Sequence, residues 1–288
     1  MFFSIKKSEV CNFADDNTLF SGDKNLERVF SNLNSDLSNV IDWFKINSLK
    51  ANPGKFQFMV LGANKNDSFN LNVAGKVIPS TSEVKLLGIM IDNELKFKKH
   101  INELCRKASY KLHALQRIRR YLSVDKARML ANAFIDSQFN YAPLVWMFAG
   151  KTLLNRICKI HYRTLQVVYD DYNSSYDELL QLNNSPSIHQ RHLRFLAIEV
   201  FKSIMHLNPQ FMWSYFEEKT MPYNLRHGSK LILPKTKSSR FGINSLRFRG
   251  SLLWNNLPVS LKNCQGLNEF KQELKNLGYI HCTCLVCR

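Results

Sequence analysis

Residues 10–21, Val-Cys-Asn-Phe-Ala-Asp-Asp-Asn-Thr-Leu-Phe-Ser, place two adjacent carboxylates, Asp15 and Asp16, between two short apolar stretches. Asp and Asn favour turns, and apolar stretches on both sides of a turn indicate the two strands of a β-hairpin. The pattern therefore predicts a hairpin with the acidic pair at its tip. An Asp-Asp pair taken alone is also typical of a solvated turn.

A pair of carboxylates on a rigid turn suits nucleotidyl transfer. That reaction uses two metal ions, one to activate the attacking hydroxyl and one to stabilise the leaving pyrophosphate. Mg²⁺ prefers hard oxygen ligands and keeps several waters, so that few protein carboxylates are needed.

Outward from this hairpin, hydrophobic periodicity predicts a mixed α+β fold. Apolar residues spaced three and four apart indicate helices over 23–46, 152–169, 186–207 and 267–277. The same spacing indicates a helix that starts near Phe97 and another that Ser123 caps. Short apolar or alternating runs indicate strands over 56–61, 69–73 and 77–78, and a strand with a glycine kink over 83–92. Boundaries fall near residues 95 and 216, and a basic C-terminal region with proline breaks follows at 217–288.

The net charge is +17, with a pI of about 9.6, and it is concentrated after the first third of the chain. Residues 1–95 hold 10 Lys and Arg against 11 Asp and Glu, whereas residues 96–170 hold 15 against 4. Such an excess favours a polyanionic partner, although a generally basic surface is also typical of ribosomal or mitochondrial proteins.

Several motifs in order along the chain resemble a known enzyme family. Phe13-Ala14-Asp15-Asp16 resembles motif C of reverse transcriptases, and the run from Asn47 to Lys55 with the following apolar segment resembles motif D. Residues 84–92 and the exit through Phe97 are similar to motif E, the primer-grip hairpin. The last part of the chain resembles the C-terminal regions of non-LTR (LINE-type, jockey-like) retrotransposons. The segments that carry this resemblance are Tyr223-Asn224-Leu225-Arg226, Arg249-Gly250, Leu253 to Pro258 and the cysteine-rich end.

The resemblance implies an RNA-directed DNA polymerase fragment with an incomplete palm at 1–95, a helical thumb at 96–216 and a basic region at 217–288. Asp15 and Asp16 would be the catalytic, Mg²⁺-binding carboxylates, and Lys55 a proton donor to pyrophosphate or an ordinary surface lysine. Leu87 and Gly88 would contact the primer, or would be a buried strand with a bulge.

The implied partners are an RNA template and a DNA primer. The cations of the thumb would bind the phosphates of template and primer, or would form a solvated helix face. These cations are Lys98, Lys99, Arg106, Lys107, Lys111, Arg117, Arg119 and Arg120.

Seven cysteines, an odd number, indicate reduced thiols in an intracellular protein, nuclear or cytoplasmic. The start of the sequence lacks the pattern of a secretory signal, and no apolar run is long enough to cross a membrane. The tail from His281 to Cys287 offers soft ligands, but Cys282 and Cys284 are closer than zinc pairs usually are. We expect a frayed reduced tail rather than a zinc site. Lone histidines such as His161 and His192 are expected to pack or lie on the surface.

The 288 residues contain no segment with the pattern of motif A, motif B or the fingers, and the endonuclease domain of such elements is also missing. Without a third carboxylate and a nucleotide pocket, we expect the purified polypeptide not to polymerise DNA, which leaves a non-catalytic nucleic-acid-binding remnant as the alternative function. A primer-extension assay with Mg²⁺ or Mn²⁺ tests this expectation. Robust templated synthesis would contradict it.

Overall fold

The computed structural model describes residues 5–14, 16–62, 68–73, 75–219 and 230–282. Contacts divide the chain into two compact units, residues 1–94 and 95–288. Helices and small antiparallel sheets occur in the first unit and helices dominate the second, so the fold is of the general α+β class.

The first unit consists of one long helix and three hairpins. The elements are β1 (Glu9–Phe13), β2 (Asp16–Phe20), α1 (Leu26–Ile46), β3 (Asn70–Val73), β4 (Lys76–Pro79), β5 (Glu83–Leu86) and β6 (Ile89–Asp92). The described strands pair only as β1–β2, β3–β4 and β5–β6, each pair antiparallel. Asn25 begins α1 by accepting a hydrogen bond from the Glu27 amide. The predicted helix over 23–46 is confirmed.

The core of this unit lies between α1 and the β3–β4 hairpin. Leu37 and Ile41 of α1 pack with Leu71, Val73 and Ile78 of the hairpin, together with Phe58.

The predicted strand over 56–61 is wrong, because none of these residues belongs to a strand. Both the amide and the hydroxyl of Thr81 donate to the carbonyl of Phe58. These hydrogen bonds hold the segment at a single residue and do not form a strand ladder.

Helices dominate the described residues of the second unit, which also hold one isolated β-bridge between Glu218 and Leu231. Its helices are α2 (Lys98–Ile118), α3 (Val124–Ala131), α4 (Ser137–Asn140), α5 (Pro143–Trp146), α6 (Lys151–Tyr169), α7 (Tyr176–Leu182), α8 (Ile188–Ile204), α9 (Leu246–Asn256), α10 (Val259–Lys262) and α11 (Leu267–Asn276). A π-helical segment, Asn132–Asp136, joins α3 to α4. Ser123 caps α3 as predicted, accepting a hydrogen bond from the Lys126 amide.

Helix α2 buries one apolar stripe against α6. Ile101 and Ala108 are fully buried, and Leu104, Leu112 and Leu115 are each at most 7% exposed. The predicted stripe is confirmed over most of its length, but it ends sooner than expected, since Ile118 is 45% exposed.

Helix α8 is the centre of the remaining core. Phe201 of α8 stacks on Phe270 of α11, with ring centroids 4.3 Å apart, and Trp254 of α9 lies beside both rings. At Gly250, an added Cβ would lie 2.6 Å from the Phe216 ring and 2.9 Å from Val200, so that only glycine permits α9 to approach α8 this closely.

The region from 217 onward was predicted as a separate irregular segment. Its described residues instead share one core with α8, and residues 246–256 form a helix where the sequence suggested loops. The apolar residues of α9 do not fall on one side of the helix, so that periodicity gives no sign of it.

Four polar side chains of this unit, Asp136, His161, Tyr176 and Arg191, form a connected group. Arg191 donates to Asp136 at 2.6 Å, and His161 contacts Arg191 at 3.1 Å and the Tyr176 hydroxyl at 2.7 Å. Burial alone would raise the pKa of Asp136, but His161 and Arg191 outweigh it and lower the pKa. The group therefore holds a buried charge with its partners, which is the condition under which such burial is tolerated.

Among the described residues, no helix has both the length and the apolar composition that a membrane crossing requires.

His192 predicts an acid sensitivity of the second unit. Burial lowers the pKa of His192 from 6.5 to about 4, despite the contact of Nε2 with the Phe139 carbonyl at 2.9 Å. Because the folded state favours the neutral ring, this contribution to stability is complete above pH 6.5 and is lost as the pH falls towards 4. The loss amounts to about 3 kcal/mol, at about 1.4 kcal/mol per pH unit.

Urea unfolding of the full chain between pH 7.5 and 4 measures this loss. His192→Gln keeps a donor for the Phe139 carbonyl and should flatten the profile. The exposed His113 on α2 gives the matched control, since His113→Gln should leave the profile unchanged. Identical acid slopes in wild type and His192→Gln would contradict the assignment.

Candidate nucleic-acid interface

The acidic motif lies where a hairpin turns. Strand β1 pairs with β2 so that Phe13 lies opposite Asp16, and Ala14 and Asp15 stand between these two residues in the sequence. Ala14 has a φ of 52°, the left-handed backbone that tight two-residue hairpin turns require. The hairpin prediction is confirmed for the described residues, while Asp15 lies outside them. Phe13 and Asp16 are exposed at this end of the hairpin.

A residue that the sequence did not single out holds the entry to this hairpin. Asp36 on α1 is fully buried, and its carboxylate accepts the backbone amides of Lys6, Lys7 and Ser8 at 2.6–3.0 Å. Burial alone would raise the pKa of Asp36, but the three amide donors lower it. An acid on the buried face of an amphipathic helix is the signal that could have identified it. Strand β1 begins one residue after this anchor.

The magnesium expectation rests on Asp15 and Asp16, of which the structure describes only Asp16. The described residues contain no group of three or more His, Cys, Asp or Glu side chains arranged to hold a metal ion. Lys55 is exposed and ends a 3₁₀ turn, Pro53–Lys55, whose start is capped by Asn52.

The cysteine-rich tail is described only as far as Cys282. Cys284 and Cys287 lie outside the described residues, so that the expectation for this tail stays a prediction. The described cysteines before the tail, Cys11, Cys105, Cys158 and Cys264, form no disulfide.

Leu87 and Gly88 form the two-residue turn of the β5–β6 hairpin. Leu86 pairs with Ile89, and the intervening residues have φ values of 46° and 85°, both left-handed. The alternative of a buried strand with a bulge is wrong, since Leu87 is 38% exposed at the tip. Left-handed backbone is unfavourable for leucine by about 1 kcal/mol, whereas glycine adopts it without strain. The tip therefore holds an exposed apolar side chain in an unfavourable conformation.

The basic face of α2 is the second candidate surface. Because the apolar stripe faces α6, the opposite side of α2 carries Lys99, Arg106 and Arg117. Arg106 lies about two helical turns after Lys99, and Arg117 about three turns after Arg106. Lys98, Lys107 and Arg120 are also exposed, and Lys111 is half-buried. Lys107 forms a 2.8 Å ion pair with Glu103, which is a weak interaction at an exposed position. Seven of the eight predicted thumb cations therefore lie at or near the surface with their charge accessible.

Arg119 has a different role from the other seven. Its Nε donates to the carbonyls of Val167 and Val168, and its Nη1 donates to the carbonyl of Leu122. The first two carbonyls belong to the last turn of α6, where the amides of a continuing helix are missing and only the Asp170 amide reaches Val167, at 3.4 Å. Arg119 is thus a structural cap that fastens α2 to α6, and its prediction as a phosphate-binding residue is not supported by these contacts.

Comparisons with known proteins are sparse. No family model matches the chain. No solved structure matches it. An uncharacterized protein from Caenorhabditis elegans is 31% identical over 119 residues, which cover 40% of this chain and 60% of that protein. The match thus spans less than two thirds of the relative's length.

The different contacts of Arg119 and Arg117 predict different effects on stability when each is replaced by glutamine. Arg119→Gln removes a charged donor from three carbonyls and should lower the stability of the chain by about 1–3 kcal/mol. Arg117→Gln, at an exposed position on the same helix, should change stability by less than about 0.5 kcal/mol. Urea unfolding at pH 7.5 measures both variants. Equal stabilities of the two variants would contradict the capping role.

Proposed function

We propose that these 288 residues form the motif C to C-terminal portion of a non-LTR retrotransposon reverse transcriptase and bind an RNA template paired with a DNA primer. The observation that carries the proposal is the β1–β2 hairpin, which pairs Phe13 with Asp16, the first and last residues of the Phe-Ala-Asp-Asp motif. A palm built on this sequence would present its carboxylates from such a tip.

Two further features of the first unit support the same function. The β5–β6 hairpin exposes Leu87 beside Gly88 at a tight turn, as a primer-gripping loop would. The Asp36 anchor restrains the strand that leads into the acidic hairpin. A metal-binding carboxylate needs a fixed position, and this anchor limits the freedom of its strand.

The basic face of α2 supports the thumb role in the second unit. Phosphate contacts from lysine and arginine do not depend on base sequence and weaken with salt through counterion release. Residues 96–128 hold 11 Lys and Arg against two acids. The nearby carboxylates, Glu103 and Asp125, each pair with a cation of the same helix, so that they reduce rather than reverse the local charge.

A non-catalytic nucleic-acid-binding remnant is the second candidate function. The observation that favours it is the placement of the basic face in residues 95–288, a compact unit that contains none of the acidic motif. Binding through α2 alone would satisfy this alternative.

Photocrosslinking separates the two candidates. A primer carrying 4-thiothymidine at its 3′ end, annealed to an RNA template, is bound to the full chain and irradiated. The reverse-transcriptase proposal predicts crosslinks in the β1–β2 and β5–β6 hairpins, and a probe at the primer's 5′ end serves as control. Crosslinks from the 3′ end confined to residues 95–288 would support the remnant instead.

Replacing Leu87 should have opposite effects on the stability of the hairpin and on primer–template binding. Leu87→Asn places a residue that tolerates left-handed backbone at the turn and should stabilise the hairpin by about 1 kcal/mol. It also removes the apolar contact with the primer and should weaken primer–template binding several-fold. Fluorescence anisotropy and urea unfolding measure the two effects.

Leu61→Asn is the matched control, because Leu61 is a comparably exposed leucine (53%) in the same unit. It should leave binding unchanged. Unaltered affinity in Leu87→Asn would argue against the primer-contact role.

A further inference from the structure

Two tyrosines interrupt the basic surface of α2 and of the turn that follows it. Tyr110 is 64% exposed and Tyr121 is 72% exposed. Each ring has an arginine beside it: the Arg106 guanidinium carbon lies 5.7 Å from the Tyr110 centroid, and that of Arg120 lies 4.7 Å from the Tyr121 centroid. These distances are typical of cation–π pairs, which hold a ring and a guanidinium in a shared orientation.

Phosphate binding does not account for these rings. Lysine and arginine suffice to contact the backbone of a nucleic acid, and a duplex presents mainly phosphates and sugars to a basic helix face. An exposed ring can do what a cation cannot, which is to stack on the face of an unpaired base. With more than half of each side chain in solvent, the rings are open to such a ligand.

The spacing of the two rings suits an extended strand. Tyr110 and Tyr121 are eleven residues apart, and the α-helix to Ile118 with the 3₁₀ turn Arg119–Tyr121 separates them by about 18 Å along the axis. At about 3.4 Å per nucleotide, five stacked nucleotides cover that length. Arg117 is exposed between the two rings and is placed to contact the intervening phosphates.

We propose that Tyr110 and Tyr121, each oriented by its neighbouring arginine, stack unpaired bases, so that this surface also binds single-stranded nucleic acid through its bases. The proposal rests on the proposed function and adds an unpaired strand to the nucleic acid that the basic face of α2 contacts. Arg106 and Arg120 position the rings and neutralise phosphates at the same time.

An abasic strand tests the stacking directly. Fluorescence anisotropy at fixed salt compares an oligodeoxythymidine with an oligonucleotide of the same length that lacks its bases, both bound to the full chain. Wild type should bind the first strand more tightly, since each stacked base strengthens binding by about tenfold. Tyr110→Ala and Tyr121→Ala should each lose about tenfold in affinity for the oligodeoxythymidine and leave affinity for the abasic strand unchanged.

Conservative and distant variants complete the design. Tyr110→Phe and Tyr121→Phe keep the ring and should bind as wild type does. Tyr279→Ala removes a tyrosine of similar exposure (61%) after α11 and should also bind as wild type does. Circular dichroism and urea unfolding establish that each variant is folded.

Each outcome has a distinct meaning. Equal binding of both strands by wild type would overturn the stacking proposal and leave the proposed function standing. A parallel loss of affinity for the abasic strand in the alanine variants would show a structural role for the rings and would also overturn it. Absence of binding to any nucleic acid would overturn the proposed function itself.

Discussion

The burial of one apolar stripe of α2 against α6 is the constraint on which the basic surface depends. Ile101 and Ala108 are completely buried in this contact. Burying a side chain the size of isoleucine contributes about 2 kcal/mol, and the small Ala108 side chain lets the two helices approach closely. Since lysine and arginine cannot follow the stripe into the core without partners, the cations of α2 must face away from α6.

The same contact explains why one cation differs from its neighbours. Arg119 follows the last residue of α2 and lies at the C-terminal end of α6, where the last backbone carbonyls lack the amide donors of a continuing helix. A guanidinium offers several donors in a fixed plane, and this one donates to two carbonyls of α6 and to that of Leu122. Sequence alone cannot separate Arg119 from Arg120, because the two differ only in which carbonyls lie near them after folding.

Local patterns predicted much of the fold, and long-range contacts account for what they missed. The helices α1, α2, α6, α8 and α11 carry clear periodic stripes and were predicted from the sequence. The β1–β2 hairpin was predicted because turn residues separate two apolar stretches. Helix α9 was missed, since it is packed on several sides and depends on Gly250 meeting Phe216 and Val200, residues distant in sequence.

In the candidate site, too, the sequence predicted local features and missed those that depend on long-range contacts. Motif resemblance located the acidic tip and the Leu87-Gly88 turn, both of which are local features. The Asp36 anchor was not predicted, because its donors lie about thirty residues away, and its place on the buried face of α1 was the one local signal for it. Tyr110 and Tyr121 were also passed over, since cation–π pairing with arginine becomes visible only when side chains are placed.

The central claim is that the α2 face, rather than the positive charge of the whole chain, contacts nucleic acid. The salt dependence of primer–template affinity measures it most directly, because each phosphate contact contributes about 0.7–0.9 to the slope of log K against log salt. Neutralising Lys98, Lys99, Arg106 and Arg117 to glutamine should lower the slope by about 3. The same change at the exposed Lys235, Lys237, Lys271 and Lys275 should leave it unchanged. Equal reductions in the two variants would contradict the account.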